Sequence, residues 1–150
     1  MSKIFLPIRY GLAITGILIG YFLLLALFGL HTNPVFSFFN AVITAFGIFS
    51  AIKVYKLEQG RDFTYYKGFT IGILTGFIST ILFTAFFLIY ATEINPDFLI
   101  GLLEVFKRDY EVQIGLVAFV VALMGFATTV VITLACMQYF KQSWNIPENK

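Results

Sequence analysis

The sequence predicts an all-α membrane protein with four transmembrane helices and a short amphipathic surface helix between the third and the fourth. Three observations predict it. The 150 residues are 59% hydrophobic, 19% aromatic and only 12% charged, where a soluble domain carries charge on roughly a quarter of its residues. The apolar residues gather into four runs, each near the roughly 20 helical residues that cross the hydrocarbon of a bilayer. No Asp, Glu, Lys, Arg or His interrupts the interior of any run. The spans fall at about 10–30, 35–55, 67–92 and 112–140 and use up most of the chain, so residues 1–150 are expected to form one helical membrane domain.

The first run, Y-G-L-A-I-T-G-I-L-I-G-Y-F-L-L-L-A-L-F-G-L from Tyr10 to Leu30, follows Lys3 and Arg9. A basic flank also suits a secretory signal. A cleaved signal has a shorter apolar region of about 7 to 15 residues and a small-x-small site, and F-G-L-H-T-N-P offers none, so the expectation is a retained helix. Only His31 to Pro34 separate it from the second run, Val35 to Tyr55. So short a link makes an antiparallel hairpin. Asn33 suits an N-cap and Pro34 the first helical position, where its missing N–H donor would be unpaired anyway. Lys53 and Lys56 close the run, matching the negative end of the helix dipole and able to snorkel to headgroups.

Between the second and third runs, Gly60 reads as a helix stop and Thr64 as the next cap. The third run, Lys67 to Thr92, carries Gly68, Gly72, Gly76, Thr80 and Thr84, a row of small residues at four-residue spacing. Such a row admits a second backbone closely, which matters in lipid because apolar helices gain no hydrophobic driving force from meeting one another. The fourth run has a comparable stripe at Gly115, Ala118, Ala122, Gly125, Thr129, Thr133 and Cys136. Gly16 and Gly20 form a shorter version in the first. The row of the third run is therefore expected to pack on the fourth span's stripe or on the Gly16–Gly20 segment. G-I-L-I-G-Y at 16–21 echoes G-I-L-T-G-F at 72–77, and Asn33–Pro34 echoes Asn95–Pro96, a weak hint of two related hairpins.

After Asn95 and Pro96, Leu99, Leu102, Leu103, Phe106 and Tyr110 share one helical face, with Glu104, Lys107, Arg108 and Glu111 on the other. This pattern predicts a helix lying at the membrane surface, or one docking a partner.

Of the ten Lys and Arg, Lys3, Arg9, Lys53, Lys56, Arg61, Lys67, Lys141 and Lys150 share one side of this topology, against Lys107 and Arg108 on the other. The positive-inside rule then places both termini in the cytoplasm. Tyr10, Tyr55, Tyr65, Tyr66, Tyr139 and Trp144 cluster near the same boundary as an interfacial aromatic belt.

Chemistry is hard to place on this chain. Intramembrane ionisable groups mark proton relays and ion paths, and the spans have none. This argues against a proton-coupled pump or a small multidrug exporter. One cysteine and one histidine exclude an intrachain disulfide and the clusters that hold haem, zinc or iron–sulfur centres, so no metal and no cofactor is expected. His31 reads as a surface residue in a polar turn and Cys136 as a packing residue. Asn40 and the Thr and Ser of the spans are expected to bond backbone carbonyls or neighbouring helices. Lys53, Lys56, Arg61 and Lys67 are candidates for contact with anionic lipid or an acidic partner, or serve orientation alone. A formal charge of +2 is too mild to argue for nucleic acid.

The stretch A-I-K-V-Y-K-L-E-Q-G-R-D-F-T-Y-Y-K-G-F-T-I-G, the long third span and I-N-P-D-F-L resemble a bacterial family of small four-helix membrane proteins, domain-of-unknown-function family 4199. The resemblance implies four spans in a bacterial inner membrane. It implies no activity and carries over no functional residues. The expected role is thus a non-catalytic accessory or scaffold subunit rather than an enzyme. Its partners would be membrane lipids, and other membrane subunits or a second copy of itself. The rival expectation is an oligomeric transporter or channel, with a polar path along Asn40 and the threonines.

Overall fold

The computed structural model describes residues 5–105 and 113–141. Its order is α1 (Phe5–Leu27), α2 (Pro34–Gln59), a 3-10 turn (Gly60–Asp62), α3 (Tyr65–Ile89), a π-helical turn (Tyr90–Ile94), α4 (Asp97–Val105) and α5 (Ile114–Phe140). Helices α1, α2, α3 and α5 are long and apolar enough to cross a membrane. The short α4 lies between the third and fourth of them. The expected polar face of Lys107, Arg108 and Glu111, together with Phe106, Tyr110, Lys3, Trp144 and Lys150, lies outside the described residues.

Local chemistry sets the ends of the helices. Gly29, at φ +68°, ends α1: its N–H donates to Ala26 O at 3.1 Å and the N–H of Leu30 donates to Leu25 O at 2.9 Å. This double closure lets a left-handed glycine satisfy carbonyls that the last turn leaves open. Asn33 then caps α2, its Oδ1 accepting from Val35 N at 3.0 Å with Pro34 at the first position. Gly60, at φ +53°, stops α2 where the sequence places the helix stop, a turn beyond the apolar run itself, its N–H donating to Lys56 O. Thr64 caps α3 through its Oγ1, which accepts from Lys67 N at 3.5 Å.

Helices α2 and α3 each pack on all the other spanning helices, and α1 and α5 flank them. Side-chain neighbours give the directions. Ile14 meets Gly47 and Tyr21 donates to Phe36 O, so α1 and α2 are antiparallel. Gly11 meets Ile78 while Phe22 meets Phe83, Phe86 and Tyr90, so α1 and α3 run parallel. Arg9, Lys53, Lys56, Arg61, Lys67 and Lys141 therefore gather at one end, called here the basic end, and Glu93, Asp97 and Glu104 at the other, the acidic end.

The core divides in two. Toward the basic end, Ile14, Leu18, Ile48, Ile52, Tyr55, Ile71, Cys136 and Met137 pack together. At the acidic end, Phe22, Phe87, Tyr90, Ala91 and Phe98 form a second cluster. Large apolar side chains such as Leu12, Phe46, Ile81, Phe119 and Met124 point outward from every spanning helix. A water-facing surface would not tolerate so many; a lipid-facing one does.

Candidate functional site

A run of close glycine contacts marks the seam of α3 and α5. Gly68 faces Met137 and Phe63, Gly72 faces Thr133 and Ile52, Gly76 faces Thr129, and Thr80 faces Gly125. Each step of four residues up α3 is matched by a step of four back along α5, so the register of the antiparallel pair holds over four successive levels, about three helical turns. A Cβ at Gly72 would sit 2.6 Å from Thr133 Cγ2, and one at Gly125 would sit 2.6 Å from Thr80 Cγ2. Both distances are too short for a carbon that cannot move aside. Glycine supplies the gap on α3 at the first three levels, and α5 supplies it at the fourth.

Gly16 and Gly20, expected as packing residues, do not pack on any other helix of the described chain. They are exposed, and no atom of the described residues lies within 4 Å of where their Cβ atoms would be. The buried face of α1 is instead Gly11, Ile14, Leu18 and Phe22, and Gly16 and Gly20 stand on the opposite side. Gly20 borders a shallow apolar groove with Leu23, Leu24, Ala26, Leu27 and Tyr90. Gly115, the first member of the α5 stripe, likewise has no atom of the described residues within 4 Å of where its Cβ would be.

Two sets stand out among the hydroxyls. Thr15, Thr44, Ser50, Thr70, Thr75 and Thr92 each donate to the carbonyl four residues back, at 2.7 to 2.9 Å. Ser79, Thr84, Thr129 and Thr133 keep buried Oγ atoms with no partner, as does Oδ1 of Asn40. A Cβ at Gly72 would lie 2.9 Å from Thr133 Oγ1, and one at Gly76 would lie 2.5 Å from Thr129 Oγ1. These oxygens thus sit where a glycine Cα hydrogen points, the arrangement of a weak Cα–H···O contact at a helix interface.

The four candidate cations do not converge. Lys53 and Arg61 are exposed. Lys56 lies over the rings of Phe140 at 5.2 Å and Phe63 at 5.7 Å, and its Nζ is 3.5 Å from Phe140 O at the last turn of α5. It thereby closes the negative end of that helix. Nζ of Lys67 donates to Asp62 O at 3.1 Å. Cys136 is buried in the core of the basic end beside Met137.

His31 is not a simple surface residue. Its ring stacks on Phe98 at 4.8 Å with 16° between planes, and meets Phe22 at 5.7 Å and Tyr90 at 6.0 Å edge to face. Both ring nitrogens are shielded from solvent and neither has a hydrogen-bond partner among the described residues. Burial pushes its pKa below the ordinary histidine value. The sequence hides this chamber because its members are far apart in the chain. Tyr90 and Phe98 are brought together by the π-helical turn, whose bond from Asn95 N to Tyr90 O measures 2.8 Å.

Residues 9–116 match the family described as protein of unknown function, DUF4199. The chain belongs to that family. No curated protein and no solved structure matches it. The family match takes in α1 to α4 and ends in the first turn of α5, so Gly68, Gly72 and Gly76 lie within the DUF4199 region while Thr129 and Thr133 opposite them lie beyond it.

Proposed function

We propose that this small multi-pass membrane protein is a non-catalytic accessory or scaffold subunit of the bacterial inner membrane, with both termini in the cytoplasm. The observation that carries the reading is the contrast between its two glycine-bearing faces. The α3 face is filled by α5 of the same chain, whereas Gly16 and Gly20 open outward beside an apolar groove. A bundle that is closed within and open to helices without suits a protein that meets other spanning helices. The absence of ionisable residues inside the spans supports the same reading. The eight-to-two distribution of Lys and Arg supports the orientation, and the exposed Lys53 and Arg61 are available to anionic headgroups.

Purification in mild detergent with identification of co-purifying chains tests the role. Stable membrane partners, absent from Gly16→Leu with the fold intact, are the expected result. Cysteines introduced at Ser2 and Ser143 should be labelled from the cytoplasm and one at Thr32 from outside; opposite accessibility of either terminus would defeat the orientation.

A second reading is an oligomeric transporter or channel. The buried unpartnered hydroxyls of Ser79, Thr84, Thr129 and Thr133 favour it, since such groups can hold water in a polar path. Solute flux into vesicles containing this chain alone would favour it over the scaffold.

A further inference from the structure

The chamber at the acidic end is built around the chain's one histidine and joins three elements that are otherwise loosely connected. His31 belongs to the turn between α1 and α2, Tyr90 to the π turn after α3, and Phe98 to α4. A Cβ at Gly101 of α4 would lie 3.6 Å from Thr32 Cγ2, an ordinary contact, so the same turn touches α4 again one helical turn further on. Phe98 is buried, while Ile100 and Glu104 on the same helix are exposed. The docking of α4 therefore rests largely on Phe98 and on the rings around it.

We propose that His31 is a pH-sensitive latch, which holds α4 on the bundle while its imidazole is neutral and releases α4 when it is protonated. The stacking on Phe98 suits a neutral ring, and a proton would put a charge where neither nitrogen has an acceptor. The described groups that face the imidazole are the rings of Phe22, Tyr90 and Phe98, and none of them carries a formal charge. On the neighbouring elements Glu93 of the π turn and Asp97 and Glu104 of α4 are exposed. These carboxylates at the outer rim favour the charged ring once it has swung out of the chamber. Cation–π attraction to Phe98 opposes release, but it is weaker than the penalty for burying an unpaired charge.

Because burial lowers the histidine pKa, the released state binds the proton more tightly than the latched state. The latch is therefore fully effective above the ordinary histidine pKa and weakens as pH falls below it toward the lowered value.

Hydrogen exchange of full-length protein in nanodiscs of phosphatidylethanolamine and phosphatidylglycerol tests the latch, with rates corrected for the intrinsic effect of pH. Between pH ~7.5 and ~5, protection of the α4 amides should fall by about threefold or more while the α3 and α5 amides at their seam hold theirs. His31→Phe keeps a ring in the chamber and cannot titrate, so its α4 protection should be flat with pH. An equal loss in His31→Phe, or no loss in the wild type, would overturn the proposal. NMR titration of the imidazole gives a check on the unaltered protein, made unambiguous by there being one histidine. A midpoint below the ordinary histidine range that coincides with α4 release is expected; a midpoint at or above that range overturns the latch.

Discussion

G-I-L-I-G-Y at 16–21 and G-I-L-T-G-F at 72–77 differ by two residues, yet they take opposite surroundings. In α3 the glycines face α5 and Leu74 is 45% exposed; in α1 the glycines face outward and Leu18 is 5% exposed. The two segments are rotated by about half a turn relative to the core. What distinguishes them lies outside the hexapeptides. Four residues to either side of the α3 pair stand Gly68 and Thr80, which prolong the row of small residues, whereas Leu12 and Leu24 bracket the α1 pair. Two glycines make a dent in a helix; only a row four turns long makes a groove in which another helix can lie.

The largest effect should come from filling these positions with leucine. Gly72→Leu forces a branched side chain into Thr133 and Ile52, and overpacking of this kind costs about 1 to 3 kcal/mol. Gly16→Leu meets open space and gains helix propensity, so it should leave stability unchanged or raise it by up to about 1 kcal/mol. Leu74→Ala, on the outward face of α3, should cost less than Gly72→Leu. Unfolding in detergent under matched conditions compares all three. Equal stabilities of Gly72→Leu and wild type would mean that the α3–α5 seam does not hold the bundle together.

This pair also shows how far the sequence can be read. The four spanning helices follow from apolar run length, and Asn33, Gly60 and Thr64 mark helix ends through bonds and backbone angles that suit their own residue types. The α3 row and the α5 stripe are readable because four-residue spacing fixes a helical face. The outward turn of Gly16 and Gly20 is not, because it depends on which side of α1 meets α2 and α3; Ile14, Leu18 and Phe22 take that side although Leu12, Ile17 and Leu24 on the other are just as bulky. The chamber around His31 is equally hidden. It needs Phe22, Tyr90 and Phe98, contributed by three separate elements, and no local pattern announces their meeting. His31 reads as polar loop for that reason.

A smaller effect separates the two Asn–Pro pairs. Asn33 caps α2 with its side chain, whereas Asn95 at the end of the π turn bonds through its backbone N–H to Tyr90 and its carbonyl to Phe98 N. Asn33→Ala should therefore cost about 1 kcal/mol, the usual loss of a side-chain cap. Asn95→Ala leaves the backbone bonds in place and should cost less. Urea or thermal unfolding of the two variants measures the difference, and an equal loss would mean that the pairs act alike and would revive the idea of two related hairpins.

An effect that can vanish altogether bears most directly on function. Thr133 Oγ1 is buried without a partner against the Cα of Gly72, and valine matches threonine in shape. Removing an unsatisfied hydroxyl from a dry site relieves about 1 to 3 kcal/mol. The same substitution also removes the weak Cα–H···O interaction with Gly72, worth about 0.5 to 1 kcal/mol. These opposing effects offset in part, so Thr133→Val should be neutral or stabilising by up to about 2 kcal/mol if the seam is dry packing, as the scaffold reading requires. If the oxygen instead holds a water or ion on a path between the helices, the same substitution strands that guest's other partners and should destabilise the bundle by about 1 kcal/mol or more. Unfolding of Thr133→Val beside Thr129→Val, one turn along the same stripe, therefore separates a zipper from a conduit without knowledge of any solute.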